Sequence, residues 1–356
     1  MLSFLHYTLI ILLLYLISLL KSNSSSQKNQ KHSFYLLLSL GLMCFMTSFR
    51  AYDVGNDTEA YYFFFNSFSN NDYGVDTRIE SGYRFLNYLV TLFSDNFTVF
   101  LSITSVILFA SLFAYIQKRG FDNQLYSVLF WLFGYTSFVS PLRQSLAIVF
   151  IFISLFFLER KKGVFFVVFC FLASLFHRPA IICLILFPLY YVRPSFKSYL
   201  FMAVVVLILV FSNTINHLTG VLDKYYLHYF DTQSGWAAVL FNSLFGLIPI
   251  IIDANKKDHS DSASFIRLSR WGCFLYVLCY LCSLYSSGMG RIAYYFLPMV
   301  LSYWCYVISK LKGGIKPITI ILLIVILVTY NLLAIKFRPE WNSFFPFHYV
   351  WESRPI

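Results

Sequence analysis

LYSVLFWLFGYTSFVSPLRQSLAIVFIFISLFFL, residues 125–158, holds a single charged side chain. Arg143, with Gln144 beside it, sits between the apolar runs Leu125–Val139 and Leu146–Leu158 with no polar loop around it. A guanidinium there enters or borders hydrocarbon, where a mid-helix Arg costs roughly 2.5–3.5 kcal/mol even on the lenient insertion scale. His177-Arg178 repeats the pattern between Val164–Phe176 and Ala180–Tyr191, and Arg291 repeats it between Trp271–Tyr285 and Ile292–Ile308. Three such cationic corners point to a membrane-embedded site for an anionic ligand.

The composition agrees with a multi-pass membrane protein. Of 356 residues, 59% are hydrophobic, 21% aromatic and 12% charged, against about 25% charged in soluble domains. Mean hydropathy is +0.68. The fold class expected is therefore all-α: one integral membrane domain over residues 1–356, with no soluble core. A net charge of +11 would raise nucleic acid as a partner in a soluble chain. Here the cations fall in short loops, so topology and anionic lipid headgroups explain them and no nucleic acid is expected. The seven cysteines lie in apolar stretches, and Cys279-x-x-Cys282 without a second pair reads as helix filling. No metal site or cofactor is expected.

About twelve helices are expected from apolar windows: Leu2–Leu20, Ser33–Phe49, Phe97–Ile116, Leu125–Val139, Gln144–Leu158, Val164–Phe176, Ala180–Tyr191, Ser198–Ser212, Trp236–Ile252, Trp271–Tyr285, Ile292–Ile308 and Pro317–Ile335. With this alternation, 17 of the 27 Lys and Arg residues fall on one side. The positive-inside bias makes that side cytoplasmic and places both termini outside. Arg50, Arg143, His177, Arg178 and Arg291 then lie at extracytoplasmic helix ends, where the bias works against cations. A shared outward-facing pocket accounts for them.

Two connections on that side are long enough to fold. In residues 50–96, Tyr83–Phe93 is too short to span and reads as an interfacial helix. Residues 213–235 form the second outer loop, with His217, Asp223, Lys224, His228 and Asp231 among tyrosines. Asp253–Arg270 reads as a solvated inner linker, and the aromatic C-terminus as an interfacial tail. No P-loop, GxGxxG or internal repeat occurs, so nucleotide-driven chemistry has no support.

The order R50-x-x-D53-x-G55-x-D57-T58-x-x-x-Y62, E80-S-G-Y83, R143-Q144-x-x-A147 and F176-H177-R178-P-A, followed by Arg291-Ile-Ala-Tyr294-Tyr295, resembles the EpsG/Wzy-type polysaccharide polymerases over about residues 50–300. It departs from them at Arg178, where a small residue would follow the histidine. The resemblance implies a membrane-embedded, lipid-linked glycosyltransferase of the bacterial cytoplasmic (inner) membrane. Such an enzyme transfers a growing glycan from polyprenyl (undecaprenyl) diphosphate onto a lipid-linked repeat unit outside the membrane. The product would be an O-antigen of lipopolysaccharide, a capsule or an exopolysaccharide. The implied partners are the lipid-linked glycan and membrane lipid, with a chain-length regulator and a flippase as associated proteins.

The residue types suit that chemistry. A leaving diphosphate builds negative charge on phosphate oxygens, and Arg stays protonated and pairs with phosphate bidentately. Arg143 and Arg291 are the first candidates for this clamp, with Arg50 and Arg178 next. The acceptor hydroxyl needs a base, for which Asp57, Glu80 and His177 stand at the same boundary. Gln144, Tyr62 and Tyr294 are placed to bind substrate. Each has a plainer alternative: Glu80 could pair with Arg84 at i,i+4, Asp57 could form an Asx-turn around Gly55, and the arginines could hold headgroups. A ligase would use the same donor. A flippase would show charges along a central path and related halves, whereas here the charges gather on one face.

Overall fold

Helix occupies every one of the twelve apolar windows. The computed structural model describes residues 2–20, 28–70, 79–119, 122–211, 234–254, 264–338 and 344–352, so the second outer loop lies almost wholly outside the described residues. Six described helices are long and apolar enough to cross a membrane, seven if a bent pair is one span, and four more apolar helices are shorter. The chain divides into two compact units.

The first unit comprises Met1–Phe152, Leu175–His177 and Ile308–Ile356. Its long helices are α1 (Leu2–Leu20), α2 (Lys28–Ser48) and α5 (Phe97–Gln117). The buried stripe of α5 runs through Phe100, Thr104, Leu108 and Leu112 at four-residue spacing, and this face packs on α2. Lipid tails supply no hydrophobic force between helices, so packing and interhelical hydrogen bonds hold them. Gln124 donates to Ser39 at 2.7 Å, Trp131 to Thr8 at 2.9 Å, and the Thr47 and Tyr135 hydroxyls meet at 2.9 Å.

The expected Leu125–Val139 span is irregular. It consists of α6 (Asn123–Leu129), a π-helical turn Phe130–Gly134, and α7 (Tyr135–Val139). A π turn displaces carbonyls from their usual partners, and a freed carbonyl in hydrocarbon must find another donor. Asn331 meets that need, donating to the Leu132 carbonyl at 2.6 Å from the closing helix Ile315–Phe337. After Ser140-Pro141 the chain restarts as α8 (Leu142–Glu159), which puts Arg143 in a first helical turn.

Residues 50–96 contain more structure than their sequence announces. The short helix is present as α4, Ser81–Thr91. Ahead of it the stretch read as plain loop forms α3, Thr58–Ser69, which buries Thr58, Tyr61, Phe64, Phe65 and Phe68. Tyr83, Asn87 and Val90 are buried, while Phe85, Leu89, Leu92 and Phe93 are exposed, the apolar outer face an interfacial helix needs.

The C-terminal tail is an integral part of this unit. Phe344, Phe345 and Phe347 are buried, with Phe345 edge-on to Phe4 and Phe344 edge-on to Tyr135. Arg50 and Tyr349 form an antiparallel bridge, flanked by Ala51 N–H to His348 O at 3.2 Å and Val350 N–H to Phe49 O at 2.9 Å. His348 meets Asp53 at 2.9 Å and Tyr349 meets Tyr7 at 2.7 Å. The tail and the start of α1 therefore lie at the same end of this unit as residues 50–53.

The second unit comprises Ile153–Ser174 and Arg178–Val307. Pro249 lies inside the helix Trp236–Ala254 and deprives the Phe245 carbonyl of its donor. Trp304 supplies one at 2.9 Å. Gly246 and Gly272 allow close helix approach: a Cβ at Gly246 would lie 2.8 Å from Val277, and one at Gly272 would lie 2.6 Å from Met299. Asp253–Arg270, expected as a solvated linker, is helical at both described ends: helix Ser264–Cys282 starts well before Trp271. Arg270 binds the buried Asp253 through Nε at 3.1 Å and Nη2 at 2.5 Å. Tyr303 completes the trio, donating to Asp253 at 2.6 Å and lying 2.9 Å from Arg270 Nε. The Arg291 corner is a break, with Ser287–Ala293 and Leu297–Ser309 meeting at 54°.

Candidate functional site

A cation in a helix's first turn faces the positive end of the macrodipole, so Arg143 needs an anion. Glu80 provides it: Nη1 donates to Glu80 Oε2 at 2.7 Å. The Glu80 side chain is 2% exposed and the Arg143 side chain 22%. Glu80 is also the residue preceding α4, and its side chain makes no capping bond there. The ion pair at Glu80 is thus made with the distant Arg143.

Two further contacts build this corner. Gly82 N–H donates to the Leu175 carbonyl at 2.8 Å, and a Cβ at Gly82 would stand 2.7 Å from that oxygen. The glycine thus lets the start of α4 dock on the turn Leu175–His177. The buried His177 belongs to that turn, two residues from the docking carbonyl.

Tyr61 and Tyr83 stand beside the pair, their ring centroids 5.5 Å apart. Burial pushes the Tyr61 phenol up to about 12; the Asp57 carboxylate adds to the rise and the Arg143 guanidinium opposes it. Burial likewise raises Tyr83 well above its ordinary value, with Arg143 and Arg50 opposing. Both phenols are neutral donors at physiological pH. Neither was singled out from sequence as a site residue. The signal that finds Tyr61 is the period Thr58, Tyr61, Phe65, Phe68 along α3, which carries Tyr61 inward. Tyr62 falls on the neighbouring face, 5.1 Å from Tyr52 and 5.4 Å from Phe97 between ring centroids.

Arg50 is 1% exposed. Nη2 donates to the Val139 carbonyl at 3.0 Å, and Cζ lies 6.0 Å from the centre of the Phe344 ring. Nε and Nη1 are buried and find no acceptor among the described residues. Burial draws the group down to about 10, with Tyr135, Tyr61, Tyr83 and Asp57 opposing, so it stays charged at neutral pH. Leaving a buried donor unmet costs about 1–3 kcal/mol, more for a charged group. Asp57 precedes α3 without a side-chain capping bond, and Gln144 is buried in the first turn of α8.

The first unit thus assembles Arg50, Asp57, Tyr61, Glu80, Tyr83 and Arg143, with His177 on the adjoining turn. Arg178, Arg291 and Tyr294 belong to the second unit. Arg178 opens the 3-10 turn Arg178–Ile185. Arg291 lies in the last turn of Ser287–Ala293 with Tyr294 capping it, where the helix dipole itself favours a cation. Among the described residues, no group of three or more His, Cys, Asp or Glu side chains could hold a metal ion.

Comparison with known proteins gives one result. The model of the EpsG family matches residues 33–349, most of the chain. No curated protein and no solved structure matches.

Proposed function

Because this chain belongs to the EpsG family, whose members include Wzy-type polymerases and which supports a polysaccharide polymerase-type role, we propose a specific transfer reaction for it. The growing glycan passes from polyprenyl diphosphate to a lipid-linked repeat unit on the extracytoplasmic face of the bacterial cytoplasmic membrane. The observation that carries this reading is the Arg143–Glu80 pair, a cation and a carboxylate held 2.7 Å apart where α4 meets α8.

In the reaction the acceptor hydroxyl attacks the anomeric carbon, the bond to the diphosphate oxygen breaks, and the hydroxyl proton must leave. Arg143 exchanges its carboxylate for the diphosphate and stabilises the charge that builds on it. The exchange frees Glu80 to accept the hydroxyl proton. This couples the arrival of the leaving group to the release of the base. Asp57 and His177 remain the other candidates for the proton, and the Tyr61 phenol is a neutral donor beside Arg143. Arg178, Arg291, Gln144, Tyr62 and Tyr294 are proposed to contact glycan or carrier.

The deciding experiment compares polysaccharide ladders from cells carrying Arg143→Ala or Arg143→Lys at equal membrane abundance. Loss of long chains with accumulation of single-repeat product is expected. A normal ladder removes Arg143 from the chemistry, and loss of the single-repeat product as well transfers the reading to a flippase for repeat units.

A further inference from the structure

The geometry points to a second anion subsite, centred on Arg50, that takes a phosphoryl group of a diphosphate-bearing lipid and is covered by the C-terminal strap. It rests on the lipid-diphosphate reading above and adds to it a place, its lining and its cover. The first observation is the guanidinium itself: 1% exposed, with Nε and Nη1 buried and meeting no acceptor among the described residues. A buried guanidinium nitrogen without an acceptor can donate charge-assisted hydrogen bonds to a phosphoryl oxygen.

The second observation is that two hydroxyls and one of these nitrogens line the same corner beside Gly55. Gly55 has φ +106°, a backbone conformation that favours glycine. A Cβ there would lie 2.7 Å from Thr58 Oγ1, 3.2 Å from Ser140 Oγ and 3.8 Å from Arg50 Nη1. The glycine therefore keeps a side chain out of the corner where two hydroxyls and one unmet guanidinium nitrogen come together. Thr58 Oγ1 donates to the Val54 carbonyl at 2.8 Å, so Ser140 is the hydroxyl left to donate to an anion.

The third observation is the cover. The strap pairs with Arg50 through Tyr349 and lays Phe344 over its guanidinium, and the Asp53–His348 contact at 2.9 Å fastens it at an exposed edge. An anion reaches Arg50 only when this strap lifts. The reaction also supplies a reason for two positions, since donor and acceptor each carry a diphosphate.

The test measures binding of farnesyl diphosphate, a short polyprenyl diphosphate, to the full chain in detergent micelles, with hydrogen exchange followed over 344–352. Vesicles of phosphatidic acid and of phosphatidylcholine serve as headgroup controls. Wild type is expected to bind farnesyl diphosphate and to lose protection in the strap. Arg50→Gln should weaken binding about tenfold to a hundredfold, and Ser140→Ala, the variant least disturbing to folding, about threefold to tenfold. If both variants keep their melting temperature and bind as wild type does, the Arg50 nitrogens hold only water and the subsite is overturned, while the role of Arg143 stands. If wild type binds phosphatidic acid and not farnesyl diphosphate, and Arg50→Gln removes that binding, the anion subsite stands and its ligand is an ordinary headgroup. No binding of either probe by wild type overturns the subsite; the ladder from Arg143→Lys then decides independently whether the polymerase reading survives.

Discussion

Arg270 in the second unit and the arginines of the first unit meet the same difficulty, a guanidinium held away from water, and the chain resolves it differently. Arg270 commits Nε and Nη2 to Asp253, and Tyr303 bonds to both partners. This trio ties three helices together. In the first unit Arg143 holds Glu80 on a side chain that is still 22% exposed, and Arg50 keeps two nitrogens unmet. A cation whose partners all come from the protein is a fastening. A buried cation whose nitrogens meet no acceptor among the described residues, as at Arg50, is available to a ligand.

That contrast can be broken experimentally, and the largest effect should fall on the fastening. Asp253→Ala leaves Arg270 buried without its carboxylate, a loss of about 3–5 kcal/mol for breaking a buried pair. Membrane abundance and melting temperature should drop, while chain extension per surviving molecule stays near wild type. If instead extension fails at normal abundance, the trio has a chemical role and the contrast collapses.

Arg143→Lys should do the reverse. It keeps the charge but not the planar fork, so melting temperature should hold while long chains fall about a hundredfold, the scale seen for loss of one transition-state donor. Glu80→Gln sharpens the test, because a lost base lowers turnover about a hundredfold or more without raising the KM for the repeat unit. An unchanged rate would move the proton to Asp57 or His177.

The smallest effect belongs to the π turn. Asn331→Leu removes the donor to Leu132, and the expected cost is about 1–3 kcal/mol in thermal stability with extension unaltered. A rate change would mean that the π turn positions Ser140 and Arg143 downstream of it.

The sequence shows clearly what repeats along a helix and poorly what meets across one. Leu2–Leu20 and the windows at 97–116 and 317–335 agree with the observed helices to within about two residues, because uninterrupted apolar runs leave no other structure open in lipid. Arg270 was placed outside its helix because Ser264–Arg270 carries two arginines and two serines, a polar run whose acceptance depends on Asp253 and Tyr303 elsewhere in the chain. The helix at Thr58–Ser69 was hidden by its aromatic content, which reads as easily as an interfacial loop. Arg50, Asp57, Glu80, Arg143 and His177, named as candidates from residue type and position, fall together in the first unit. Tyr61 was signalled only by the period along α3 and Tyr83 only by its place in E80-S-G-Y83, and neither was named as a site residue. The closure of the tail over Arg50 joins residues about three hundred positions apart and leaves no local pattern.

That last contact also sets the order in which the protein can be completed. The helices can enter the membrane one after another during synthesis, but Tyr349 and Phe344 reach Arg50 only once residues 344–349 have left the ribosome. A product truncated before residue 344 would carry the described helices and lack the cover of Arg50. An insertion beside Trp351 would burden the same step, so an epitope label for abundance measurements belongs in another loop.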